Sequence, residues 1–153
     1  MLLTACSSPP SDAQLIESFQ AHRESFEELR AMMAEDSQFG VVRRDWMSTL
    51  HGRDEQVGES HPSITDDRWR LYRDKFQALG LSGGVTRALV GDCELYFGSY
   101  SEGLVIAGTA KGIAYCDHPP SPLVENLDRG PIPAKTTSFR SIEGNWYLFF
   151  EYN

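Results

Sequence analysis

Residues 84–117, GVTRALVGDCELYFGSYSEGLVIAGTAKGIAYCD, decide the fold, because here the apolar period shortens from the three-to-four of a helix to two. Alternation of that kind marks half-buried strands. It predicts four short strands, at 85–90, 93–97, 103–108 and 112–117. The breaks between them are Gly91-Asp92, residues 98–102 and residues 109–111, each short enough to close a hairpin. The expected arrangement is an antiparallel meander.

Beyond this stretch, His118-Pro119-Pro120-Ser121-Pro122 ends the alternation, and irregular chain with Pro131 and Pro133 is expected up to Lys135. A last hairpin follows, with strands at 137–142 and 145–152 about a Glu143-Gly144 turn. Its run Trp146-Tyr147-Leu148-Phe149-Phe150 is apolar on both faces, which places it centrally or beneath a helix.

Upstream, the period is helical. Ser11-Asp12-Ala13-Gln14 is a capping-box pattern, in which the Ser hydroxyl accepts from an orphan backbone N–H and Gln reaches back. Behind it Leu15, Phe19, His22, Phe26, Leu29 and Met33 fall on one face, predicting a helix over 12–35 with His22 as a core residue bonded to backbone. A strand is expected over 39–46 and a long exposed loop over 47–62. A second helix opens at Ser63 or Thr65, where Asp66 and Asp67 suit its positive end. It carries Trp69, Tyr72, Phe76 and Leu79 on one face and stops at Gly80. The fold class is therefore α+β: two amphipathic helices packed on one face of an antiparallel meander sheet of five to seven strands. Residues 12–153 form one domain.

In such a meander Cys93 opens one strand and Cys116 closes the next but one, at opposite ends and ~9–10 Å apart. A disulfide needs Cα atoms within about 7 Å, so two free, buried thiols are expected if strand order is sequential.

The net charge of −8 argues against nucleic acid, whose phosphates need a basic face. The excess is local: residues 1–60 hold 11 acidic and 5 basic side chains, and residues 61–153 hold 11 and 9. An acidic N-terminal part can steer a basic partner.

Motifs that carry chemistry are weak. Cys116-Asp117-His118 brings a nucleophile, an acid and a base together in sequence, but neighbouring strand residues point to opposite faces, so a catalytic pair is not expected there. His51 and His61 flank Asp54, Glu55 and Glu59 without the spacing of a zinc site, so no metal is expected. The glycines at 80, 83 and 84 follow a helix and precede a strand, the reverse of a phosphate loop, and no cofactor is implied. Surface remains: Tyr96, Tyr100, Tyr115, Trp46 and Tyr152 exceed what two helices need, and aromatics suit interface anchors. Tyr100, the acidic Asp54, Glu55 and Glu59, and His118 are the candidates for partner binding.

The start of the chain supplies a location. Leu3-Thr4-Ala5-Cys6 resembles the lipobox of bacterial lipoproteins, with Met1-Leu2-Leu3 as the tail of an apolar signal region. Ser7-Ser8-Pro9-Pro10-Ser11 has the composition of a tether, so residues 1–11 are read as signal end, lipobox and tether. The resemblance implies lipid on Cys6 and a membrane link through it. Ser rather than Asp at position 7 implies the periplasmic face of the outer membrane. From Ser7 to Ser11 the tether spans at most about 20 Å, which would hold the domain near the membrane.

Two functions follow as expectations. The first is a lipid-anchored periplasmic binding module, in its most concrete form an immunity protein or inhibitor of an envelope-acting toxin or hydrolase, acting by steric occlusion through residues 47–62 or 118–135. The alternative is a small envelope hydrolase or ligand-binding lipoprotein with a site near His118, Asp117 and the chain that follows.

Overall fold

A computed structural model describes residues 8–104, 107–129 and 135–152. The lipobox with Cys6, the tether's first residue and the prolines at 131 and 133 lie outside these. Helix α1 spans Asp12–Glu35, strands β1, β2 and β3 span Phe39–Val42, Trp46–Thr49 and Asp54–Gln56, and helix α2 spans Asp66–Leu79. Strands β4 to β8 follow at Gly84–Arg87, Cys93–Leu104, Ala107–Cys116, Thr136–Glu143 and Trp146–Tyr152. Among the described residues the eight strands join one antiparallel sheet in the order β3-β2-β1-β4-β5-β6-β8-β7. The class is α+β, but with eight strands rather than five to seven. The order also leaves a simple meander twice: the chain returns through α2 to set β4 beside β1, and β8 slips between β6 and β7.

Both helices begin and end where their sequence signals stand. The Ser11 hydroxyl accepts from the Gln14 N–H while the Gln14 side chain accepts from the Ser11 N–H, closing the capping box. Thr65 caps α2 by accepting from the Arg68 N–H, and Gly80 ends it in the left-handed conformation at φ 66°. His22 departs from expectation. Its backbone leaves helical geometry (φ −127°, ψ 23°), kinking α1, and its side chain is exposed while the rest of the stripe is buried.

The main core joins the buried faces of α1 and α2 to Phe39, Val42, Met47, Val85, Leu95, Phe97, Ile113 and Leu148. At its centre the Trp146 ring lies 5.1 Å from Phe19 and 5.7 Å from Phe97, in tilted contacts that add to the area buried. The helices are tied together at one end, where Asp36 accepts from the Arg68 guanidinium and from the Tyr72 hydroxyl, both at 2.8 Å.

Two expectations are corrected in the sheet. Residues 47–62 are not a long exposed loop: they complete β2 and supply β3. The edge strand β3 reads Asp54-Glu55-Gln56 and offers no apolar alternation, because only its middle residue turns inward. The second correction concerns the cysteines. Residues 98–102, with the composition of a turn, run straight through β5 with a bulge between Gly98 and Tyr100, and residues 109–111 lie inside β6. Four expected strands collapse here into a long hairpin, β5 against β6, preceded by the shorter β4. Cys93 and Cys116 then face each other directly and form a disulfide, not two free thiols.

Candidate functional site

Strand β6 divides the molecule. Its residues Lys111, Ile113 and Tyr115 turn toward α1, and Ala110, Ala114 and Cys116 turn toward the opposite face. On the α1 side Lys111 and Asp12 are each 1% exposed. The Lys111 ammonium lies 2.8 Å from Asp12 Oδ1 and 2.6 Å from Asp128 Oδ1. Asp12 Oδ2 accepts from the Arg140 guanidinium and from the Leu127 N–H, both at 2.8 Å. The Asp128 carboxylate in turn accepts from the Asp12 N–H. Burial alone would raise the Asp12 pKa, but hydrogen bonds from Lys111, Leu127 and Arg140 outweigh it and hold the carboxyl below its usual range. This clamp joins the first turn of α1, the sheet and the 118–129 chain.

The opposite face carries a second apolar cluster, Cys93, Ala114, Cys116, Phe139, Tyr147 and Phe149, with Tyr96 and Ala110 against it. Beside it opens a cavity of about 420 Å³, within the range of small-ligand sites. Its position follows from glycine placement. Register pairs Gly84 with Gly98, Gly98 with Gly112, and Gly112 with Phe149, so three adjacent strands carry no side chain in one row. The chain is so tightly drawn there that a Cβ on Gly112 would lie 2.0 Å from the Phe97 carbonyl oxygen. Tyr96 and Phe149 flank this row and meet edge-on with centroids 5.1 Å apart.

Polar groups stand around the hollow. Thr86, Ser101 and Thr137 line it, with Arg43 and Glu151 among the same lining residues. Neither Arg43 nor Glu151 has an ion-pair partner among the described residues, although the Arg43 guanidinium sits 5.6 Å from the Trp46 ring. Burial, helped by the charges of Glu151 and Asp92, raises the Tyr96 pKa, so its hydroxyl stays protonated. Leu89 and Val90, at the β4–β5 turn, form one wall and are 74% and 87% exposed.

The five residues singled out by sequence are not brought together. Tyr100 lines the cavity but is mostly buried, with its hydroxyl bonded to the Glu102 carboxylate. Asp54 and Glu55 lie on β3, four strands from β5, and Glu59 follows in the next turn. Glu55 is 3% exposed, and its carboxylate accepts from the Ser63 hydroxyl at 2.6 Å and from the Ser63 N–H. It therefore pins the chain before α2 and is not a surface acid. His118 is exposed beyond β6, beside a shallower hollow with Leu89, Val90, Asp92 and Asp117. Cys116, its near neighbour in sequence, is spent in the disulfide.

His61 stands apart from any ligand role. Its Nδ1 is 2.9 Å from the Ile64 carbonyl oxygen and its Nε2 is 3.0 Å from Asp66, so it braces the start of α2. The bond to the Ile64 carbonyl, with help from Asp66, raises its pKa. No group of three or more metal-ligating side chains occurs among the described residues. No helix there is long and apolar enough to cross a membrane.

Sequence reasoning placed Tyr96 and Tyr100 among the surplus aromatics but missed Arg43, Phe149, Glu151 and the Leu89-Val90 tip. One signal was present: Gly84, Gly98 and Gly112 recur at intervals of fourteen residues. Comparison with known protein families, with curated proteins and with solved structures gives no match in any of the three.

Proposed function

We propose that this chain is a lipid-anchored binding module of the bacterial envelope, held through Cys6 at the periplasmic face of the outer membrane. Its partner is a protein, and an immunity protein or inhibitor of an envelope-acting toxin or hydrolase is the most concrete form. The observation that carries the reading is the Leu89-Val90 tip. Two adjacent branched apolar side chains stand largely in solvent at the rim of a hollow, and apolar groups exposed together beside a groove suit a surface that a partner covers. Reading both helices as packed on the other face of the sheet leaves this face open for an encounter. The Cys93–Cys116 disulfide supports an oxidising compartment. The clamp supports a tethered domain, because it fastens Asp12, next to the tether, to the middle of the sheet.

The occluding element is then the β4–β5 tip, rather than residues 47–62, which pair into the sheet, or the 118–129 chain, which is bound to β7 through Phe139. Affinity capture from envelope extracts with the full chain tests the proposal. A single stoichiometric protein should be retained by the native chain and lost when Leu89 and Val90 are both replaced by Asp. Capture of nothing, or capture indifferent to that double replacement, would count against it. Anchoring is tested separately: a Cys6→Ser chain that still fractionates with membranes would end that part of the claim.

A further inference from the structure

We propose that the cavity beside the glycine row binds a small zwitterion with an apolar body, of the chemical class of a short unblocked apolar peptide. Three observations converge on it. The floor is apolar and aromatic, made by Tyr96, Phe149, Ala88 and Ala110. One rim carries the cation Arg43 and the other the anion Glu151, each without an ion-pair partner among the described residues. The Tyr96 hydroxyl likewise has no hydrogen-bond partner among the described residues, and Thr86 and Thr137 place further hydroxyl groups around the hollow.

The pairing of charges selects the ligand class. A ligand carrying only an ammonium would match Glu151 but cover Arg43 without a counter-charge, and a simple carboxylate would do the reverse. Covering an unmatched charge costs free energy that the contact must recover. A zwitterion matches both at once, with its ammonium at Glu151 and its carboxylate at Arg43. The span agrees. Arg43 follows β1 and Glu151 lies on β8, four strand spacings away, or roughly 19 Å between backbones at about 4.8 Å per strand. That separation calls for a ligand with its two charges at opposite ends, as in a short peptide, rather than on neighbouring atoms, as in a single amino acid. A peptide also brings amide groups for the hydroxyls of Tyr96, Thr86 and Thr137, which a purely aliphatic zwitterion lacks. The proposal requires neither the lipid anchor nor a protein partner, so it stands or falls apart from the preceding section.

Isothermal titration calorimetry on the full chain tests it with tri-leucine, its N-acetylated form and its C-terminal amide. Tri-leucine should bind, and acetylation should weaken binding at least tenfold. Glu151→Gln should weaken tri-leucine by a similar factor yet leave the acetylated peptide unaffected, since the lost partner is the same. Amidation and Arg43→Gln should form the matching pair at the other end. Ala110→Phe should abolish binding by filling the floor. If that variant does not fold, the two rim variants still decide the matter. Absence of heat with millimolar tri-leucine would overturn the proposal. Equal affinity for free and doubly blocked peptides would also overturn it, by showing an apolar groove blind to charge.

Discussion

The two sides of β6 handle charge in opposite ways. Toward α1, Lys111 is buried between Asp12 and Asp128, and Arg140 completes the set, so every charge meets another within 2.8 Å. On the other face, one residue along, Ala110 helps floor a hollow whose rims carry Arg43 and Glu151, neither with an ion-pair partner among the described residues. Strand alternation separates the two environments by a single residue step. Matched buried charge holds a structure in register. Charge at the rim of an open hollow, with no ion-pair partner among the described residues, remains hydrated and available.

The largest expected effect lies in the clamp. Asp12→Ala would leave Lys111 with only Asp128, and would strand the Leu127 N–H and the Arg140 guanidinium. Removing one partner from a buried ion pair costs about 3–5 kcal/mol, measurable by urea denaturation at neutral pH. The pH dependence follows from the lowered Asp12 pKa. A carboxyl with a depressed folded-state pKa contributes stability that is complete above its unfolded value, about 3.9. That contribution is lost as pH falls through the folded value. The gap between native chain and variant should therefore stay constant from pH 7 down to about 5 and shrink below about 4. A gap independent of pH down to 2 would show that the carboxylate's charge is not what holds the clamp together.

A smaller effect is expected in the glycine row. Gly112→Ala sets a methyl group 2.0 Å from the Phe97 carbonyl oxygen and 3.0 Å from the Phe149 ring. Backbone cannot yield as a flexible side chain does, so the cost should reach the upper part of the ~1–3 kcal/mol typical of overpacking. Thermal melting of the variant measures it. A melting temperature equal to that of the native chain would mean that the crease relaxes freely, and that the hollow owes nothing to it.

How far the sequence announced these regions depends on whether the signal was local. The caps at Ser11, Thr65 and Gly80 are satisfied within three or four residues, and both helices were legible from them. The closing hairpin was legible for the same reason. The β5–β6 hairpin was not, because Gly98-Ser99-Tyr100-Ser101 has the composition of a turn while cross-strand pairing carries it as strand through a bulge. That one break moved Cys93 and Cys116 from facing positions to separate strands, and the expected thiols followed from it. His22 sat at core spacing, but a kink rotated it out, which no spacing rule foresees. The clamp joins residues as far apart as Asp12 and Arg140, 128 positions in sequence. Its only trace was one lysine among the small residues of β6. Of the candidate site, Tyr96 and Tyr100 were identified among the cavity residues, as surplus aromatics; the glycine interval points to the rest only after strand register aligns its three members.

The smallest expected effect is the most discriminating for the contrast between the two faces. Glu151→Gln removes a charge that has no ion-pair partner among the described residues, from a side chain at the cavity rim. Nothing is left stranded by its loss, so stability should change by no more than about 0.5 kcal/mol, as for surface substitutions away from special features. The same chemical change in the clamp, Asp12→Asn, removes a carboxylate held by an ammonium, a guanidinium and a backbone N–H. Measured side by side in urea, the two isosteric amide variants should differ by at least a factor of five in their cost. A Glu151→Gln cost approaching that of Asp12→Asn would mean that the rim charge is structural, and the distinction between a locked face and an available one would collapse. A cost near zero would leave Glu151 with a charge that folding does not use and that a ligand can engage.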